Sequence, residues 1–247
     1  MSFINNSAHP LDRIWVLWKP NKINITIKKW SDQWVHCLGR RLDEHKEVFI
    51  TFVYGHNEAA RRVDLWKDLG TIASTCDKPW CIIGDFNSVL ELDDRIGGNP
   101  VTIEETSDFK NCVQTCGLEE IPSEGSKYTW SNRQGCGRRI YSKIDRALAN
   151  IDWFNCFNTK ILVKEEGLSD HSPLLMREIH TGKGNIPFKF CNMWLLDPLF
   201  PTLVEAVWQQ RREGRYMHQL VCNLKDLKPG LRRLNKDKFS HIYQQCN

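Results

Sequence analysis

No Cys-x-x-Cys pair occurs anywhere in the 247 residues, although ten of them are cysteine. The nearest two, Cys112 and Cys116, stand four apart, a helical spacing, with no histidine at zinc-ligand distance in sequence. That pattern argues against a zinc knuckle and against a disulfide scaffold, and buried free thiols are expected instead. No run approaches the ~18 consecutive apolar residues that a membrane helix needs, so no membrane partner is expected. Met1 to Pro10 is polar and lacks the basic-then-apolar order of a signal peptide, which points to an intracellular protein. Internal repeats and low-complexity segments are absent too. The composition that remains, 41% hydrophobic and 26% charged, is that of an ordinary globular chain, long enough for one large domain plus an appendage.

The net charge of +4 is unevenly placed. From Phe200 to Asn247 nine Lys/Arg stand against four Asp/Glu, whereas the preceding 199 residues hold 25 bases and 26 acids. The basic character therefore belongs to the tail and does not by itself make the main body a nucleic-acid binder.

Arg13 to Trp18 reads as a short buried strand ended by Lys19-Pro20, and Ile23 to Ile27 alternates as a half-exposed one. Gln33 to Leu38 is a third. Val48 to Tyr54 is apolar on both faces, as a central strand between two layers should be, and Gly55 stops it. A helix is expected from Glu58 to Thr75 with Val63, Trp66, Leu69 and Ile72 inward. Trp80 to Ile83 is another buried strand. A second helix runs from Thr102 to Cys116, with Thr102 and Glu105 as a capping box and Gly117 past its end. Tyr128 to Trp130, Ile140 to Ile144, Phe157 to Val163 and Leu174 to Met176 make the second half strand-rich. Several neighbouring strands have no helix between them, which favours two mixed sheets packed together with helices outside over a doubly wound parallel sheet. Gly182-Lys183-Gly184-Asn185 marks a boundary. Beyond it Leu199 to Gln210 and Tyr216 to Tyr243 read as helices, the second interrupted at Pro229-Gly230 into two helices or a kink, since proline inside a helix costs ~3 kcal/mol or more.

The strand Trp80 to Ile83 ends in Gly84-Asp85-Phe86-Asn87, which puts a carboxylate and an amide on one short loop at a sheet edge. Gly84 lets the backbone turn and leaves space beside a pocket. Asp85 can take a proton from water or hold a cation, and Asn87 can bond a phosphate oxygen or a water, while Phe86 turns to the core. Asp and Asn are also ordinary turn formers. Ser169-Asp170-His171 adds an oxygen ligand and an imidazole able to bind phosphate or to act as acid or base. Its alternative is a surface acid beside a core histidine. Asp145, in Lys143-Ile144-Asp145-Arg146, is a third acid able to orient an imidazole.

Taken in order, these segments resemble the endonuclease/exonuclease/phosphatase superfamily, and within it the endonuclease region of plant LINE-type (non-LTR) retrotransposon polyproteins. The resemblance rests on Leu17-Trp18-Lys19-Pro20, Val53-Tyr54-Gly55, Pro79 through Asn87, Tyr128-Thr129-Trp130-Ser131-Asn132, Ile144 through Asn150, and Ser169 through Leu174. It runs from about Asp12 to Met176. Phe190 through Trp194 and Leu234-Asn235-Lys236 then resemble the linker toward a reverse transcriptase. The fold implied is a four-layer sandwich of two mixed β-sheets flanked by helices over residues 1–180, with a helical linker over 181–247. By the same resemblance Tyr54 would contact the scissile phosphate, Asp85 would activate or align the attacking water, and Asn87 would bond water or phosphate. Asp145 would orient His171, His171 would stabilise the developing phosphate charge, and Asp170 would help hold Mg²⁺, a hard ion content with oxygen ligands. Between Trp130 and Asp145 a hairpin tip carries Arg133, Arg138 and Arg139, which either touch a DNA backbone or form a solvated basic loop.

Family members open with a strand bearing Asn and, after a helix, a strand ending in Glu-Thr-Lys whose Glu is the main metal ligand. Ahead of Leu17-Trp18 only Asp12 is acidic here. The expectation is an N-terminally truncated fold with an unpaired sheet edge, weakened Mg²⁺ binding and weak or no activity, because losing one member of a catalytic unit removes most of the rate. Whether the chain is an enzyme is thus open at this stage. The alternatives are a non-catalytic nucleic-acid or protein-binding module and a phosphoesterase acting on inositol or other phosphoesters, which share the fold. Tyr128-Thr129-Trp130 and Ile144 through Asn150 favour the retroelement branch. DNA as substrate would require the nucleus, and no small-molecule cofactor is expected.

Overall fold

Alternating burial along successive strands sets the architecture. The computed structural model describes residues 1–5, 13–42, 46–135, 137–179, 190, 192–209 and 216–239. They fall into two compact units, Met1–Ile186 and Pro187–Asn247. Asp12, Cys136, the Gly182-to-Asn185 boundary and the ends of the expected last helices lie outside the described residues.

In chain order the first unit contains β1 (Ser2–Ile4), β2 (Trp15–Leu17), β3 (Ile23–Trp30), β4 (Trp34–Arg41), β5 (Glu47–Tyr54), α1 (Ala59–Ser74), β6 (Trp80–Asp85) and β7 (Arg95–Ile96). Then follow α2 (Ile103–Thr115), β8 (Leu118–Glu120), β9 (Ser123–Gly125), β10 (Trp130–Ser131), β11 (Tyr141–Ser142), β12 (Asp145–Asn150), α3 (Ile151–Cys156), β13 (Thr159–Val163) and β14 (Leu174–Glu178). The main sheet has the order β3-β4-β5-β6-β12-β8, antiparallel except for the parallel β5–β6 pair. A second mixed sheet, β14-β13-β9, leaves β14 at its edge. Two small antiparallel sheets, β10-β11-β7 and β1-β2, complete the set. The mixed-sheet α/β architecture is therefore the one the strand pattern implies.

The core between the two mixed sheets is apolar and small-residue-rich where the main sheet must come close. Cys81 of β6 and Ala147 and Ala149 of β12 meet Ile161 and Val163 of β13 and Trp153 and Phe154 of α3. Each large side chain buried there contributes roughly 1.5–3 kcal/mol relative to exposure. A neighbouring cluster joins Ile14 and Val16 to Val35 and Cys37 of β4. Trp34 of β4 donates its Nε1–H to Asp68 of α1 at 2.9 Å, tying the helix to the sheet. Phe86, just past β6, stacks on Phe109 of α2 at 4.7 Å, and Trp66 of α1 stacks on the same Phe109 at 4.9 Å.

Several local expectations change. Helix α1 buries Leu65, Leu69, Ile72 and Ala73, and Val63 lies exposed, so the buried face is rotated from the expected one. The β2 segment is one-sided: Val16 is buried, whereas Trp15 and Leu17 are 61% and 70% exposed. The strand expected over Ile140 to Ile144 is two residues long, and the long strand is β12, in which Asp145 and Arg146 are buried. Helix α2 keeps its capping box, with the Glu105 N–H donating to Thr102 Oγ1 at 3.3 Å and the Thr102 N–H to Glu105 Oε2 at 3.1 Å. All seven described cysteines are free thiols, four of them buried, and burial pushes the Cys37 thiol up to about 12.

The second unit contains α4 (Leu199–Trp208) and α5 (Tyr216–Leu234), preceded by a 3-10 turn, Asn192–Leu196. Within it α5 runs through Pro229 as one helix, so the proline does not divide it in two. Among the described residues no helix is long and apolar enough to cross a membrane.

Candidate active site

Register brings the candidate residues together. Tyr54, the last residue of β5, stands opposite Asp85, the last of β6, and Asp85 stands opposite Asp145, the first of β12. Because side chains repeat every two residues along a strand, directly opposed residues share a face. Three residues remote in sequence thus form one row at one end of the main sheet. The fourth is delivered by a loop held to the β10 segment: His171 bridges to Trp130, while the Ser131 N–H donates to Asp170 O at 3.0 Å and the Ser172 N–H to Thr129 O at 2.7 Å.

His171 Nδ1 lies 3.1 and 3.0 Å from the two oxygens of Asp145, and its Nε2 lies 4.0 Å from Asp85 Oδ2. The three residues offer ligand atoms all within 4.8 Å of one another. Asp85 is buried, and burial together with the adjacent Asp145 carboxylate raises its carboxyl to about 7. The hydrogen bond to Asp145, reinforced by the Asp145, Asp85 and Asp170 charges, holds the His171 imidazole above its ordinary range despite partial burial. Two carboxylates crowded beside one imidazole create the local demand for positive charge that a hard divalent cation meets with oxygen ligands.

Asn87 sits at φ 48, in the left-handed region that asparagine tolerates. Its backbone N–H donates to Asp85 Oδ1 at 2.8 Å, and its amide donates to Asp85 Oδ2 and to Gly55 O, both at 2.9 Å. Asn87 therefore grips Asp85 and ties the β6 end to the β5 end. Gly84, at φ 149, is required by the neighbouring strand: a Cβ there would run into the Val53 carbonyl oxygen. The clearance expected beside the pocket is thus clearance for main chain.

Asp170 is placed differently. Its Oδ2 accepts the Trp130 Nε1–H at 3.0 Å, which holds its carboxyl low, and it lies exposed beside the converged trio and not within it. Of the three loop arginines, Arg133 reaches along the surface to the neighbouring loop, donating to the carbonyls of Gly167, Leu168 and Ser169. It braces the loop that presents Asp170 and His171. Arg139 lies over the Tyr141 ring at 5.7 Å and donates to its hydroxyl at 3.2 Å, and Arg138 is exposed.

Sequence reasoning passed over several residues that build this site. Thr129 is buried, and its Oγ1 accepts the N–H groups of Ile144 at 3.2 Å and Asp145 at 3.0 Å, fixing where β12 begins. Gln33 takes the His56 N–H on its Oε1 at 2.9 Å while its carbonyl takes the Tyr54 N–H at 2.8 Å. Arg62 of α1 donates to the carbonyls of His56 and Asn57, both at 2.8 Å, and its charge reaches Asp85. The Tyr128-Thr129-Trp130 pattern was the one available signal, and it pointed to a family without showing Thr129's task.

No family model matches the chain, and no curated protein matches it. Among solved structures it is similar to the endonuclease domain of TRAS1, a telomere-specific non-LTR retrotransposon, at 15% identity and a TM-score of 0.52, over 68% of this chain and 70% of that one. Lower-scoring neighbours include a beta toxin of Staphylococcus aureus, at 14% identity and a TM-score of 0.44 over 60% of this chain and 57% of that one. Another is an endonuclease/exonuclease/phosphatase family protein of Leptotrichia buccalis, at 15% identity and a TM-score of 0.42 over 59% and 53%. At these identities the likeness is one of fold.

Proposed function

From the endonuclease/exonuclease/phosphatase fold and the Asp85–Asp145–His171 cluster, we propose that this chain is a metal-dependent phosphodiesterase of the endonuclease type, acting on DNA. The observation that carries the reading is the imidazole gripped through Nδ1 by Asp145 while its Nε2 faces Asp85 across 4.0 Å. Asp145 fixes the ring and stabilises the imidazolium, as an orienting acid does. The Nε2–H then donates to a non-bridging oxygen of the scissile phosphate, where negative charge builds as the water oxygen attacks phosphorus and the sugar oxygen leaves. Ionised Asp85, steadied by Asn87, accepts the proton of that water. The Asn87 amide already donates to Gly55 and Asp85, which leaves its Oδ1 to accept from the same water. Tyr54 stands next along the row to meet the phosphate from the other side.

Asp145, within the converged cluster, and Asp170, exposed beside it, are the carboxylates that would hold Mg²⁺, which would supply charge neutralisation to the phosphate and its leaving oxygen. Among the described residues the converged cluster contains no glutamate, and weak turnover is the expected outcome. Nicking of supercoiled plasmid with and without Mg²⁺, comparing this chain with His171→Ala, tests the reading. Slow, Mg²⁺-dependent nicking that disappears in His171→Ala supports it. Equal nicking by both proteins, or none by either at high enzyme concentration, refutes it.

A further inference from the structure

A second charged cluster lies against Tyr54, the residue paired with Asp85 in the β5–β6 register. Arg13, just ahead of β2, places its guanidinium carbon 5.3 Å from the Tyr54 ring centroid and one N–H 3.1 Å from His56 Nδ1. An arginine only donates, so Nδ1 accepts and the proton of the ring sits on Nε2, which donates to Asp32 Oδ2 at 2.7 Å. The His56 side chain is 4% exposed, and its backbone is clamped by Gln33 on one side and Arg62 on the other. The histidine is thus a buried, single-tautomer strut between an acid and an arginine. The Tyr54 face and the strut fix the guanidinium plane.

We propose that Arg13 is a phosphate-binding residue of this site, aimed by the positioning residues His56 and Asp32, and that it takes the backbone phosphate neighbouring the one at Asp85 and His171. The inference rests on the phosphodiesterase reading above. A guanidinium fork matches two oxygens of a phosphodiester, and prior immobilisation lowers the entropy cost of each contact. Contact to a flanking phosphate is made equally before and during reaction, so its loss raises KM and leaves kcat nearly unchanged.

The test is fluorescence anisotropy with a labelled 20-base-pair DNA duplex in EDTA across a salt series, joined to nicking kinetics in Mg²⁺. Arg13→Ala is expected to weaken binding about tenfold near 0.1 M salt and to reduce the slope of log K against log salt by about one. Arg13→Lys keeps most of the slope and loses severalfold in affinity, which holds the inference open to test if the alanine variant folds poorly. His56→Leu weakens binding, and His56→Gln, able both to accept from Arg13 and to donate to Asp32, restores it to within about twofold. Lys67→Ala removes a charge from the exposed face of α1 and leaves the curve unchanged. Wild-type binding matched by both Arg13 variants overturns this inference alone. A wild type that binds no duplex at any salt overturns the parent reading with it.

Discussion

His171 Nδ1 lies almost equally close to both oxygens of Asp145, at 3.1 and 3.0 Å. One N–H shared between two acceptors locks the ring against rotation about its own axis, so the direction of Nε2 is fixed by a strand end and not by the loop that carries the histidine. Asp145→Asn cannot reproduce the symmetric acceptor pair. We expect Asp145→Asn and His171→Ala each to reduce plasmid nicking by about 10²- to 10⁴-fold, the usual range for losing a positioned acid–base group. The double variant should be little worse than either alone, and additive losses in nicking rate would show that the two residues act separately.

Stability should fall as pH rises upward from about 6.5 in EDTA. Asp85 holds its proton to about 7 in the folded state against an ordinary 3.8, and the His171 pKa is raised as well, so the folded chain binds more protons than the unfolded one across that window. For His171 the stabilisation is present below its unfolded pKa and is lost as pH climbs through the folded one. His36 opposes this at lower pH: burial and the nearby Lys29 and Lys28 depress it to about 4, so its contribution rises with pH only up to about 6.5. Urea denaturation at closely spaced pH values reads the sum. A flat or rising profile from 6.5 to 7 would contradict the assignment, and added Mg²⁺ should blunt the fall.

Gly84→Ala should destabilise the first unit severely. The residue is in the left-handed half of backbone space at φ 149, and the added methyl meets the Val53 carbonyl, which cannot retreat without breaking the β5–β6 pairing. We expect a loss of ~3 kcal/mol or more. A melting temperature within a degree or two of wild type would show that the strand pair yields.

Arg146 is the buried counter-ion of the neighbouring position. It pairs with Asp94 and, at 2.7 Å, with Glu120, whose other oxygen accepts from Lys143 at 2.7 Å. Arg146→Ala should cost about 3–5 kcal/mol because it strands the buried Asp94 carboxylate. Adding Asp94→Asn should recover part of that loss. The two unfolding midpoints decide, and equal midpoints for single and double variants would refute the pairing argument.

The sequence disclosed this site unevenly, for physical reasons. Asp85, Asn87, Asp145 and His171 were legible because strand-end motifs concentrate chemistry within a few adjacent residues. Thr129 was not, nor was the Arg13–His56–Asp32 chain beside Tyr54, since each is an ordinary residue whose contacts come from pairing across the fold. The β12 strand was misplaced because Asp145 and Arg146 look like surface residues, and their burial is compensated by His171, Asp94 and Glu120. Trp15 and Leu17 misled in the opposite sense: their apolar character implied burial, whereas β1 pairs with β2 and leaves both exposed.

The transverse row of Tyr54, Asp85 and Asp145 also dictates which insertions and deletions this chain can survive. Losing or gaining one residue within β6 or β12 would bring Ile144 or Arg146 opposite Asp85 and send the carboxylate to the other face of the sheet. An added residue at the exposed Gly135 or Gly137 would move nothing in that row. Among lengthened or shortened descendants of this chain, those that keep the chemistry should carry their changes in the β10–β11 hairpin tip and keep the spacing within each of these strands unchanged.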